Sequence, residues 1–81
     1  MNDNEIILIL QEIVNPFIEK GKIISINDEL ADDLGLDSID VVDLVVFIED
    51  KFSIVLEEEE LDSLKSISNL VELIKNKSFK I

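Results

Sequence analysis

The chain has 81 residues, a formal net charge of −12, and neither cysteine nor histidine. That length holds one domain, 1–81, near the lower end of what folds without covalent staples, and the missing side chains exclude disulfides, thiolate or imidazole metal sites, and Ser-His or Cys-His nucleophile pairs. Apolar runs such as Ile6-Ile7-Leu8-Ile9-Leu10 fall far short of the ~20 residues of a spanning helix, and the acidic start lacks the positive n-region of a signal peptide, so the expectation is a cytoplasmic or organelle-soluble monomer with no membrane insertion.

Asn2-Asp3-Asn4-Glu5 offers N-cap residues with an acid behind them, and the apolar positions 6, 9, 10, 13, 14 and 17 follow helical spacing. The spacing predicts a first helix over about 4–19. Pro16 inside it would delete a hydrogen bond and press on the carbonyl of Glu12, so a kink near 12–16 or an early end is expected. Gly21 suits a helix stop, and Lys20 and Lys22 sit where the negative end of the helix dipole favours them. A strand over 6–10 is possible on isoleucine content alone, but no second strand of comparable quality follows.

Residues 20–37 form a long connection. With Ile23, Ile24, Ile26, Leu30, Leu34 and Leu36 it is too apolar to float in water and must pack on the rest, with room for a short helical turn at 28–34; connections of this length are often functional.

A second helix is predicted over about 38–52. At about 100° per residue, Val41, Leu44, Val45, Ile48 and Phe52 share a core face. Ile39, Val42, Asp43, Val46, Phe47 and Asp50 fall opposite, flanked by Asp40 and Glu49. An exposed apolar strip rimmed by acids is a partner site; the alternative is that other parts of the chain cover Ile39, Val42, Val46 and Phe47.

Glu57-Glu58-Glu59-Glu60 before Leu61 and Leu64 indicates a short third helix. A last helix starts at Ser66 or Ser68 and runs to about 76, burying Ile67, Leu70, Val71 and Ile74, with Lys75 and Lys77 at its negative end and a fraying tail at 78–81. The predicted fold is all-α, a bundle of three long helices and one short one with a long first loop.

Charge is uneven along this plan. Residues 28–62 carry fourteen carboxylates and one cation, Lys51, for −13, while the rest of the chain sums to +1. Such a field repels nucleic acid and anionic membrane and steers partners with basic patches. A merely soluble acidic surface is the plainer alternative, but the concentration in one stretch favours a docking face.

Ser38 stands between Asp37 and Asp40 at the predicted start of the second helix. No general base accompanies it, so an outside enzyme must act on its hydroxyl, and a phosphate hung there would face the amide donors of a helix N-terminus. A plain N-cap is the alternative. Here Leu34-Gly35-Leu36-Asp37-Ser38-Ile39-Asp40, then Asp43-Leu44-Val45 and Ile48-Glu49-Asp50-Lys51-Phe52, resemble the acyl carrier proteins, and the likeness extends over nearly the whole chain.

The resemblance implies that a phosphopantetheinyl transferase attaches the 4′-phosphopantetheine of coenzyme A to Ser38, with Asp37 assisting. Acyl groups would then travel as thioesters on the arm, the protein acting as carrier and substrate rather than enzyme, in fatty acid or related lipid synthesis. It further implies that Ile39, Asp40, Val42, Asp43, Val46, Glu49 and Asp50 dock basic-patch partners such as acyltransferases and ketosynthases; the face reading adds Phe47.

The chain departs from the common pattern at Ile39, where leucine is usual, at Phe47, where a small residue is frequent, at Lys51 in place of an acid, at Glu57 in place of proline, and at Pro16 in the first helix. Phe47 and Lys51 point to a partner choice differing from that of the housekeeping fatty-acid carrier. Two other readings stay open: a polyketide or aminoacyl carrier, the latter disfavoured by Leu36-Asp37 before the serine, and an unmodified helical interaction protein. The aliphatic core, with few polar handles, would let acyl chains enter between the second helix and its neighbours, or is simply close-packed.

No Asp-x-Asp-x-Asp-Gly calcium loop is present, and no metal site is expected. Loose divalent binding should still relieve carboxylate repulsion: thermal melting near neutral pH should give a higher Tm with millimolar calcium than without, and an indifferent Tm contradicts this.

Overall fold

Asn2 opens the chain's first helix by a reciprocal cap: its side chain accepts from the Glu5 amide at 2.9 Å while Glu5 accepts from the Asn2 amide at 3.1 Å. The computed structural model describes residues 2–78, Ser78 by its backbone alone. Helix α1 spans Asp3–Val14 and passes into a 3-10 turn at Asn15–Phe17. The early end is the one Pro16 imposes, since its ring removes a donor and crowds the preceding turn. The helix therefore does not reach residue 19, and Gly21 is not its stop; Gly21 takes a φ of +86° in the connection beyond.

Helix α2 spans Ser38–Phe52, α3 Glu58–Asp62 and α4 Ile67–Ser78. The closing helix is two residues longer than its periodicity indicates, and the tail expected to fray lies, from residue 79 on, outside the described residues. Among the described residues there is no strand, only an isolated antiparallel bridge between Glu29 and Ser66. Ser66 and Asn69 cap α4 reciprocally, Ser66 Oγ accepting from the Asn69 amide and Asn69 Oδ1 from the Ser66 amide. Ser53, left-handed at φ 56°, ends α2.

Packing follows the predicted faces. Helix α1 lies against both α2 and α4, and the core takes Ile6, Leu10 and Val14 from α1, Leu44, Val45 and Ile48 from α2, and Ile67, Leu70, Val71 and Ile74 from α4. Val41 and Phe52 pack at its margin, half-buried. Ion pairs brace the helix ends: Lys75 Nζ reaches Asp3 of α1 at 2.7 Å, and Lys77 Nζ reaches Glu60 of α3 at 2.8 Å.

The connection between α1 and α2 contributes Ile24, Leu30, Leu34 and Leu36 to the same core, whereas Ile23 is left 76% exposed. Two sets of hydrogen bonds hold it down. Gln11 of α1 accepts from the Ile24 amide at 2.7 Å and donates to the Lys22 carbonyl at 3.0 Å and to Asn15 Oδ1 at 2.7 Å. At the far end the Leu30 amide donates to the Lys65 carbonyl and the Ile67 amide to the Asp28 carbonyl, both at 2.9 Å. The segment predicted to hold a helical turn forms consecutive turns, with the Asp33 and Leu34 amides both donating to the Glu29 carbonyl.

Gln11 thus satisfies two backbone groups of a partly buried loop with one side chain. Gln11→Ala should lower the unfolding free energy by about 1–3 kcal/mol, the penalty for orphaning such groups, as read by urea denaturation; a loss below about 0.5 kcal/mol, the range of an ordinary surface substitution, would show that the clamp is not needed.

Candidate functional site

Gly35 delivers the chain to the start of α2. Its φ of +70° lies in the left-handed region, which lets the backbone turn so that Leu36 drops into the core at 4% exposure. Asp37 follows as the N-cap: its Oδ1 accepts from the Asp40 amide at 2.8 Å, and Asp40 Oδ2 accepts from the Asp37 amide at 3.3 Å. Ser38 is therefore the first helical residue and not the cap, which removes the plainest alternative role for its hydroxyl. Its side chain is exposed, and among the described residues neither its hydroxyl nor the Ser38 and Ile39 amides have a protein partner.

Beside Ser38 opens a groove of about 650 Å³ between the N-terminal half of α2, the connection and α3. Its walls are largely aliphatic, with Leu30, Leu36, Val41, Leu61 and Leu64, and Lys65 is its only cation among the described residues. Sequence reasoning did not place Leu30, Leu61, Leu64 or Lys65 at the site. Leu30 reads as core and Leu64 as the end of a short helix; the bridge between Glu29 and Ser66 brings these two stretches together, and both pack with α2 on the common core.

The outer face of α2 is open. Ile39 is 71% exposed, Val42 59%, Val46 57% and Phe47 54%, so the described residues do not cover them. Asp43 and Asp50 are exposed beside this strip, and Asp40 is partly buried by its capping bond; no ion pair reaches these carboxylates among the described residues. Glu49 stands apart from the rest of the face. It is half-buried, and its Oε2 accepts from the Leu56 amide at 2.9 Å, tying the segment after α2 back onto the helix. Phe47 is braced by Phe17, with ring centroids 6.1 Å apart and planes at 58°, a tilted contact of the favourable kind.

This arrangement has no nucleophile–base pair and suits a protein that is acted upon. An exposed hydroxyl at a helix start, flanked by free amides and an apolar groove, fits a phosphate-linked arm: the amides favour the phosphodiester, the groove has room for an apolar extension, and none of the described residues blocks access.

Comparison with known proteins agrees with the geometry. The sequence pattern of the family described as "Phosphopantetheine attachment site" matches residues 9–74. The chain is 33% identical to an acyl carrier protein of Exiguobacterium sibiricum over 91% of its own length and 95% of that protein. It is 35% identical to one of Buchnera aphidicola over 89% and 87%. Its fold is similar to the crystal structure of an acyl carrier protein from Thermotoga maritima, with a TM-score of 0.83 and 29% identity over 95% of this chain and 91% of that one. The chain belongs to the acyl carrier protein family, non-enzymatic carriers with covalently attached 4′-phosphopantetheine.

Proposed function

We propose that Ser38 is the residue that bears the arm, and that the chain is one carrier domain working as a cytoplasmic monomer in fatty acid or related lipid synthesis. The observation that carries this reading is the Ser38 hydroxyl itself, exposed and unpartnered at the first position of α2. Its oxygen attacks the pantetheine-bearing phosphorus of coenzyme A and becomes the ester oxygen, the pyrophosphate bond breaks, adenosine 3′,5′-bisphosphate leaves, and the hydroxyl proton goes to a base supplied by a phosphopantetheinyl transferase. When bound, the group supplies a terminal thiol that holds the acyl cargo as a thioester.

The remaining residues position and present. Asp37 holds the first turn of α2 through its bond to the Asp40 amide, which fixes the direction in which Ser38 projects, and it assists the transferase. Ile39, Val42, Val46 and Phe47 offer apolar contacts to partner enzymes, while Asp40, Asp43 and Asp50 meet their basic side chains. Glu49, held by Leu56, contributes negative field more than a free hand. Acyltransferases and ketosynthases are the partners this face serves.

Incubation with coenzyme A and a promiscuous transferase, followed by intact-mass measurement, tests the attachment. The wild-type chain should gain one phosphopantetheinyl group and Ser38→Ala none. The variant should stay folded by circular dichroism, with a stability change within about ±0.5 kcal/mol for an exposed position. An unmodified wild type, or a modified Ser38→Ala, would overturn the assignment; an interaction protein that is never modified would keep its partner binding in Ser38→Ala.

Loading with a medium-length acyl chain tests the groove. Amide resonances of Val41, Leu61 and Leu64, all groove-lining, should move relative to the unacylated form. Unchanged shifts there and in the core would mean that the cargo stays outside.

A further inference from the structure

A second depression lies between the end of α1 and the later turns of α2, lined by Glu12, Ile13, Pro16, Phe47, Asp50 and Lys51, with a volume of about 290 Å³. We propose that it seats one arginine side chain of a protein partner. This rests on the carrier reading above and names a specificity contact for its docking face, one that α2 does not make alone because half the lining belongs to α1 and the 3-10 turn.

Size, lining and charge each argue for that occupant. The volume is just under the ~300–1,000 Å³ of small-molecule sites, which suits a single side chain better than a free ligand. Ile13, Pro16 and Phe47 supply an apolar floor for a methylene stem. Glu12 and Asp50 place carboxylates on both helices around it, and among the described residues neither is engaged in an ion pair. Lys51 offsets only one of these two charges. The Phe47 ring, in tilted contact with Phe17 at 6.1 Å and 54% exposed, offers an accessible aromatic face, and a guanidinium is the cation that combines stacking on such a face with a forked bond to a carboxylate.

Position gives the contact its consequence. Phe47 is nine residues after Ser38, about 14 Å along the helix at about 1.5 Å per residue. A partner that takes the arm at one end and anchors an arginine at the other has its approach angle fixed by two points. Lys51 sits at the rim as a selective element: it weakens partners offering only a diffuse basic patch and tolerates one whose guanidinium is seated between Glu12 and Asp50.

The test uses the full chain in its Ser38→Ala form, so that its result does not depend on whether the arm attaches. The ¹⁵N-labelled protein is titrated with a Gly/Ser octapeptide containing two arginines and with the same peptide carrying citrulline, which keeps the shape and removes the charge. Saturable shifts are expected at Ile13, Phe47 and Lys51, with citrulline weaker by about fivefold or more. The double variant Glu12→Gln/Asp50→Asn should weaken the arginine peptide by about fivefold, and Lys51→Glu should tighten it about two- to threefold. Both alter only exposed side chains and leave the core intact. Shifts confined to the Asp40–Asp43 end of α2, equal binding of the citrulline peptide, an unchanged dissociation constant in the double variant, or no saturable shift at all would each overturn the proposal. Failure here with successful loading of the wild type would leave the carrier function standing; failure of loading with success here would do the reverse.

Discussion

Burial of the connection between α1 and α2 is the constraint on which the structure turns. A chain of 81 residues has little apolar surface to spare, and this segment supplies Ile24, Leu30, Leu34 and Leu36 to a core otherwise built from helices and the short stretches flanking α3. A loop can be buried only if its backbone groups find partners. Gln11 provides them at one end, and the Lys65 carbonyl and the Ile67 amide at the other. Because the loop lies down, Leu36 is anchored, Gly35 can turn, and Asp37 reaches the position from which it caps α2. The direction in which Ser38 points is thus inherited from the packing of residues well before it.

Helix α2 carries opposite demands on its two sides. Leu44, Val45 and Ile48 are held at 5% exposure or less, while Ile39, Val42, Val46 and Phe47 are all more than half exposed. The apolar strip would invite self-association if it stood alone, and the neighbouring carboxylates counter that by like-charge repulsion between copies. The same charge attracts basic surfaces of other molecules. Among the described residues no ion pair engages Asp43 or Asp50 on this face, whereas the cross-helix pairs of Lys75 and Lys77 sit at the C-terminal end of α4, where they brace the bundle.

Much of this was legible in the residues. Helix α2 appeared over 38–52 because its core stripe is strongly periodic, and the four aliphatic positions of α4 were readable for the same reason. Pro16 announced the end of α1 through a covalent property, its missing donor. The motif around Ser38 carried the family likeness that the comparisons then established. The exposure of the outer α2 face could not be settled from periodicity, since an apolar residue looks the same whether a loop covers it or water does.

What the order of residues determined alone was local: helix periods, the proline stop, the acids massed between 28 and 62, and a hydroxyl beside two aspartates with no base near it in the chain. Tertiary structure decided what depends on partners distant in sequence. It stood Phe47 against Phe17, set the Ile24 amide on the Gln11 side chain, and closed a groove from residues of α2, α3 and the connection. These contacts join stretches whose spacing obeys no helical period, so the pattern of residues alone does not encode them; they exist only once the core has brought the segments together.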